Sequence, residues 1–114
     1  MKLWLLRHGE AQPYQQHDAE RQLTDRGRQQ VRDTAEHMRG IAFDRVLCSP
    51  YIRARQTAEL VCATLELANT IEIVPWLTPE DDVRAVTRKL DGYSVETLLI
   101  VGHQPLLGAL AGWL

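Results

Sequence analysis

Arg7-His8-Gly9 follows an apolar run, Leu3-Trp4-Leu5-Leu6, and its two polar side chains are of types that can hold an anion and attack it. An arginine fork binds phosphate or carboxylate oxygens. A neutral imidazole nitrogen is a competent nucleophile near pH 7, because its unperturbed pKa is about 6.5. Similar chemistry recurs twice further on. Ser49 follows a second apolar run, with Arg53 one helical turn beyond it, and His103 follows Gly102 after a third run, Thr97-Leu98-Leu99-Ile100-Val101. Two arginines and two histidines around one pocket describe a phosphate site with a nucleophile. A transferring phosphoryl group spreads its charge over three equatorial oxygens, and preorganised positive charge acts where that charge develops. Attack by His8 would give a covalent phosphohistidine, which water then hydrolyses. The arginines should also keep the resting imidazole neutral, since like charge disfavours its protonation.

The elements that must position these residues can be read from periodicity. Residues 2–6 predict a first strand. Residues 7–23 are polar and without hydrophobic period, a long connection that points to a functional loop. Thr24 is the N-cap candidate of a helix to about Arg39, with Gly27, Val31, Ala35 and Met38 on its buried face and Gly40 ending it. Residues 44–48 predict a second strand. Ser49 and Pro50 then read as the cap and first position of a helix whose core face is Ala54, Ala58, Val61 and Leu65. Residues 71–74 predict a third strand. Thr78-Pro79-Glu80-Asp81 reads as another capped opening, of a helix to about Leu90 with Val83, Val86 and Leu90 inward. Residues 97–101 predict the clearest buried strand, and residues 106–114 a last helix that is apolar on nearly every side. The order βαβαβαβα predicts an α/β fold, a three-layer α/β/α sandwich around a largely parallel sheet. In such a sheet ligands bind outside the carboxyl ends of the strands, so the three strand ends can converge.

The whole chain sets the bounds. At 114 residues it predicts a single domain over 1–114 that buries roughly 65% of its unfolded surface. Hydrophobic residues make up 45% and charged residues 25%, ordinary for a soluble protein. A net charge of −2 argues against a nucleic-acid or membrane-surface binder. No run approaches a membrane span and no signal peptide opens the chain, so the cytoplasm is the expected location. Cys48 and Cys62 are too few for a disulfide scaffold and are expected to be reduced. The last helix ends on Trp113-Leu114 without a cap, which predicts either further chain or a covering subunit; a monomer or weak dimer is the expected state.

Arg7-His8-Gly9-Glu10, Ser49-Pro50-Tyr51-Ile52-Arg53-Ala54-Arg55-Gln56-Thr57-Ala58 and Gly102-His103 resemble the three signatures of the histidine phosphatase (phosphoglycerate mutase-like) superfamily. Leu23-Thr24-Asp25-Arg26-Gly27 is similar to a further feature of that family. The matches keep the family order and span essentially the whole chain. The resemblance implies a phosphoglycerate mutase-like fold, C-terminally truncated here, since such proteins continue with further sheet. It implies that His8 is the phosphorylated nucleophile and that Arg7, Arg53 and His103 hold the phosphoryl group. Arg53 rather than Arg55 is selected, because the family's arginine precedes the Ala-x-x-Thr-Ala pattern. The likeness is greatest to the branch of small bacterial phosphohistidine phosphatases.

Mutases and sugar-phosphate phosphatases of the family carry insertions over the pocket and an asparagine after the Arg-His-Gly. Residues 11–22 hold no asparagine, and no stretch is long enough for a lid. An uncapped pocket suits a phosphorylated side chain presented by another protein, such as a phosphotransfer domain in a signalling relay. Glu80, Asp81 and Asp82 stand where a general acid would be sought. Glu80 is the candidate, though a helix start also accounts for all three. A phosphohistidine substrate needs such an acid less, because its leaving imidazole can itself be protonated.

Other readings weigh against these. His8 and His103 could be structural imidazoles at strand ends. His17, His37 and Arg55 read as surface residues, and Ser49 as a cap rather than a nucleophile. Cys48 raises thiolate phosphatase chemistry, but Ala54 occupies the place where that chemistry needs its arginine, so Cys48 reads as core. No metal-ligand spacing and no glycine-rich nucleotide loop appears, so neither metal nor cofactor is expected. The expected activity is a cofactor-independent phosphatase acting on a phosphohistidine protein. The rivals are a phosphatase of small phosphate esters and a noncatalytic phosphate-binding module.

Overall fold

The structure, a computed structural model, describes residues 1–13 and 17–113, and for Trp113 the backbone alone. Four strands and four helices alternate along the chain: β1 (Lys2–Arg7), α1 (Asp25–Glu36), β2 (Arg45–Cys48), α2 (Ile52–Leu65), β3 (Ile71–Ile73), α3 (Val83–Asp91), β4 (Thr97–Gly102) and α4 (Leu106–Trp113). A 3-10 turn, Asp18–Glu20, interrupts the connection between β1 and α1. The sheet has the order β1-β4-β2-β3, and every pairing is parallel.

Side chains alternate across the sheet, which decides what covers each face. Val46, Cys48, Leu99 and Val101 meet the buried faces of α1 and α2, through Val31, Ala35, Ala54, Ala58 and Val61. Leu47, Leu98 and Ile100 meet α3 and α4, through Val86, Leu90, Leu106, Leu107 and Leu110. The central strands are therefore apolar after their first residues, Arg45 and Thr97, as both-face burial requires. Helices on both faces give the expected α/β/α sandwich.

The register decides where the chemistry lies. Arg7 pairs with Gly102, and Cys48 with Val101, so these strands finish within one residue of each other. His8 and Ser49 then extend the ladder, His8 N–H donating to Gly102 O at 3.0 Å and Ser49 N–H to Val101 O at 3.1 Å. Three strand ends thus deliver His8, Ser49 and His103 to one edge.

Glycine at two positions lets α1 close on that edge. A Cβ on Gly9 would lie 2.5 Å from Gly27 O, and one on Gly27 would lie 2.0 Å from Glu10 O. Thr24 caps α1 by accepting from Gly27 N–H at 2.9 Å, and its own N–H donates to Glu10 O at 3.0 Å. Thr24 and Gly27 therefore join the helix start to the segment after His8.

Two helix openings differ from the expectation. Helix α2 begins at Ile52 with Tyr51 in the cap position, and Ser49 is not its N-cap. The Ser49 hydroxyl meets His103 Nε2 and accepts from Tyr51 N–H, and the first turn forms three residues later. Helix α3 begins at Val83, capped by Asp82, whose carboxylate accepts from Arg84 N–H. Thr78 and Asp81 close a separate turn before it, because the Asp81 carboxylate takes both the Thr78 N–H and its hydroxyl. Helix α1 ends at Glu36, and Gly40 follows at φ +91°, a left-handed conformation. The connection after β1 is ordered in its described part by an Ala11–Leu23 bridge as well as the 3-10 turn; Tyr14, Gln15 and Gln16 lie outside the described residues. In α4 the leucines at 106, 107 and 110 are buried, and the outer face is Gly108, Ala109, Ala111 and Gly112. The reading of an uncapped Trp113-Leu114 end falls on the undescribed Trp113 side chain and Leu114.

Candidate active site

His8 stands at the first position past β1, half-buried. Its Nδ1–H donates to Gly9 O at 2.7 Å. A carbonyl can only accept, so this bond fixes the tautomer and leaves the lone pair on Nε2. Arg53 Nε–H donates to that Nε2 at 3.2 Å. The pKa of His8 lies below the ordinary imidazole value. Burial is the largest cause, and the charges of Arg53, Arg7 and Arg21 add to it against a raising contribution from the Gly9 carbonyl. The resting imidazole is neutral at pH 7, with Nε2 already facing a cation.

Arg53 sits on the first turn of α2 and is only 3% exposed. Its Nη1 donates to Asp18 O at 2.8 Å and its Nη2 to the Asp18 carboxylate at 3.3 Å. The other Asp18 carboxylate oxygen accepts from Arg21 Nε at 2.7 Å, and Arg21 Nη1 reaches Gln12 O at 2.7 Å. Arg7 is exposed, and its guanidinium has no hydrogen-bond or salt-bridge partner among the described residues. Thr57, buried on α2, links this group to the β1 end. Its hydroxyl accepts from Gly9 N–H at 3.2 Å and donates to Arg53 O at 2.8 Å.

His103 is 1% exposed, and its ring lies edge-on to His8 with centroids 5.0 Å apart. Its Nε2 is 2.7 Å from Ser49 Oγ, while its Nδ1 has no partner among the described residues. Burial, reinforced by the neighbouring His8 and Arg53, lowers its pKa to about 3, so this imidazole is neutral too. Tyr51 packs its ring on His103, centroids 5.1 Å apart, and lies under the Arg53 guanidinium at 5.0 Å. The Tyr51 hydroxyl donates to Glu80 at 3.5 Å. Glu80 is exposed in the loop before α3, so its carboxylate borders the site through Tyr51.

An open groove of about 880 Å³ runs beside His8, and Arg7, Glu10, Arg21, Gln30, Thr34 and Gln104 contribute polar walls. Arg53 and His103 are not among its lining residues. They meet His8 from within the fold. The arrangement can receive a tetrahedral anion at His8 Nε2, with guanidinium donors from Arg53 and Arg7 and a free imidazole nitrogen from His103. Of the residues singled out from sequence, His8, Arg53 and His103 meet one another, and Arg7 shares the groove wall with His8. Arg55, His17 and His37 are exposed, and Cys48 is fully buried with its thiol pKa pushed up to about 12 by burial. Sequence reasoning does not single out Asp18, Arg21, Tyr51 or Thr57. Thr57 and Tyr51 lie inside the 49–58 motif. Asp18 and Arg21 belong to an aperiodic loop and carry no local signal beyond their polarity.

A family model described as the histidine phosphatase superfamily (branch 1) matches residues 3–77. Phosphohistidine phosphatase SixA of Escherichia coli (strain K12) is 36% identical, over 96% of this chain and 71% of that protein. The adenosylcobalamin/alpha-ribazole phosphatase of the same strain is 42% identical, over 68% of this chain and 39% of that protein. The solved structure of the protein histidine phosphatase SixA complexed with tungstate superposes with a TM-score of 0.92 at 36% identity, covering 98% of this chain and 75% of that one.

Proposed function

The chain belongs to the histidine phosphatase superfamily (branch 1), and we propose that it is a phosphatase that removes phosphate from phosphohistidine on proteins, with His8 as its nucleophile. The observation that carries the mechanism is the state of the His8 ring. Nδ1–H is fixed on Gly9 O, and Nε2 presents its lone pair beside Arg53.

Phosphate bound over His8 takes the Arg53 Nε–H from Nε2, which frees the lone pair to attack phosphorus in line. The P–N bond to the substrate imidazole breaks as the P–N bond to His8 forms, and the leaving imidazole takes up a proton. Water then attacks phosphorus, the bond to His8 breaks, and inorganic phosphate leaves. Arg7 and Arg53 hold the equatorial oxygens. His103 donates from Nδ1, which has no partner among the described residues, with Ser49 O–H satisfying Nε2. Glu80, beside Tyr51, supplies a proton where the leaving group needs one. No metal or cofactor has a part in this scheme.

Residues 1–114 act as one domain, in the cytoplasm, as a monomer or weak dimer, on a phosphotransfer-domain protein rather than on nucleic acid or membrane. No helix among the described residues is long and apolar enough to cross a membrane.

The test is incubation with a protein phosphorylated on histidine. The wild type should release phosphate and pass through an acid-labile phosphoenzyme. His8→Ala should trap no phosphoenzyme and lose at least about a thousandfold in kcat. Wild-type-like turnover in that variant would rule out the mechanism. Faster turnover of sugar phosphates than of the phosphoprotein would instead favour a small-ester phosphatase. Vanadate binding without turnover of either would favour a noncatalytic module.

A further inference from the structure

We infer that Asp18 is a positioning residue of this site, whose carbonyl and carboxylate hold Arg53 against His8 and tie Arg21 to the same rim. The inference rests on the phosphatase reading above for its consequence in turnover, but its geometry stands apart from it.

Arg53 has three kinds of N–H, and each is committed. Nε faces His8 Nε2, Nη1 faces Asp18 O and Nη2 faces Asp18 Oδ2. With both Nη atoms held by one residue, the planar guanidinium cannot swing without breaking those bonds. In the resting site the Nε–H therefore stays on His8 until bound phosphate takes it. Arg53 is nearly inaccessible to solvent, so its guanidinium relies on partners within the fold. Among the described residues, Asp18 is the sole carboxylate in a salt bridge with any of Arg7, Arg21 or Arg53. It offsets one positive charge of three and leaves the balance for the phosphoryl group.

Asp18 is itself fixed. Arg21 Nε grips its Oδ1, and Arg21 N–H donates to Asp18 O to close the 3-10 turn. Arg21 Nη1 then ties the turn to Gln12, and Arg21 also lines the groove beside His8. The Asp18-x-x-Arg21 spacing thus makes a rigid hook from the connection after β1 onto the first turn of α2. The polar connection thereby sets the angle of an arginine that belongs to another element.

The experiment uses the full chain with Asp18→Ala, Asp18→Asn, Arg53→Ala and the Asp18→Ala/Arg53→Ala double variant, each checked for cooperative unfolding. With the phosphohistidine protein, Asp18→Ala should lower kcat by about 10–100-fold, and Asp18→Asn, which keeps an acceptor oxygen, should fall by less. The double variant should be no slower than Arg53→Ala alone, because Asp18 acts through Arg53. Losses that multiply, or an unchanged kcat in Asp18→Ala, would overturn the proposal.

A second readout needs no turnover. NMR titration of the His8 ring separates positioning from a simple field effect by its sign. Loss of a nearby negative charge alone should lower the His8 pKa further. Release of Arg53 from His8 should raise it, because Arg53 is the largest of the charges that depress it. His103, Arg7, Arg21 and the Gly9 carbonyl also face or bias that ring and stay unaltered in the variant. A raised value in Asp18→Ala supports the inference, and an unchanged or lowered value sinks it. If Asp18→Ala does not fold, Asp18→Ser, which likewise lacks the carboxylate that meets Arg53 Nη2, is read by the same signs. Should the wild type fail to act on phosphohistidine, the functional reading fails, while the titration still decides the role of Asp18.

Discussion

Ser49 shows how much of the candidate site is arranged one bond behind the side chains proposed to hold phosphate. It is fully buried, its hydroxyl meets His103 Nε2 at 2.7 Å, and it accepts from Tyr51 N–H at 3.2 Å. A serine hydroxyl can donate one bond and accept another, so both contacts can be satisfied together. If Ser49 donates to Nε2, the proton of neutral His103 must lie on Nδ1, the nitrogen that has no partner among the described residues. One hydroxyl then sets which nitrogen of the imidazole can donate to substrate. Ser49→Ala should leave His103 buried without any partner. That costs about 1–3 kcal/mol of stability, and kcat should fall by about tenfold as the tautomer is no longer fixed. Ser49→Thr should recover most of the activity. Equal turnover in the wild type and Ser49→Ala would show that the hydroxyl serves the fold alone.

At the scale of elements, two packed glycines let a strand end and a helix start share one space. Gly27 on α1 has no room for a methyl group, because the atom it would meet is a backbone carbonyl that cannot rotate away. Gly27→Ala should therefore push α1 off the segment that follows His8 and destabilise the protein by about 3 kcal/mol or more. Gly112→Ala, on an outer face with open space, is the control and should be near neutral. Urea midpoints of the two variants make the comparison, and equal midpoints would refute the account. The same two elements mark what can be read from the chain. The strands, their parallel sheet, the strand-end residues Arg7, His8 and His103, and Arg53 one turn into the next helix are legible, because apolar runs and helix openings are local signals. The starts of α2 and α3 are not. Ser49 and Thr78 each look like a cap, but each hydroxyl is engaged elsewhere, by His103 and by Asp81. Asp18 is illegible for a related reason: its partner Arg53 is 35 residues away, and no local pattern records such a contact.

For the molecule as a whole, the site has a cost that depends on pH. Its two histidines are kept neutral inside a fold that also packs both faces of the sheet. His103 has a folded pKa of about 3 and an unfolded value of about 6.5. Between those values the unfolded chain binds a proton that the folded chain does not, so stability falls as pH drops. The contribution is fully present above the unfolded pKa and is lost as pH falls towards 3. From pH 7 to pH 5 the loss from His103 alone is about 2 kcal/mol. His8, lowered in the same direction, adds to it. Asp18 and Glu72 do not interfere in this range, because their pKa values are held below the ordinary carboxylate values of 3.8 and 4.5, chiefly by hydrogen bonds from Arg21 and Arg45 that outweigh burial for Asp18. Urea unfolding at pH 7 and pH 5 should show the wild type losing at least about 2 kcal/mol more than His103→Gln over that interval. An equal loss in both would mean that His103 titrates alike in the folded and unfolded chains. The imidazole would then not be the buried, neutral group that the proposed donation to phosphate requires.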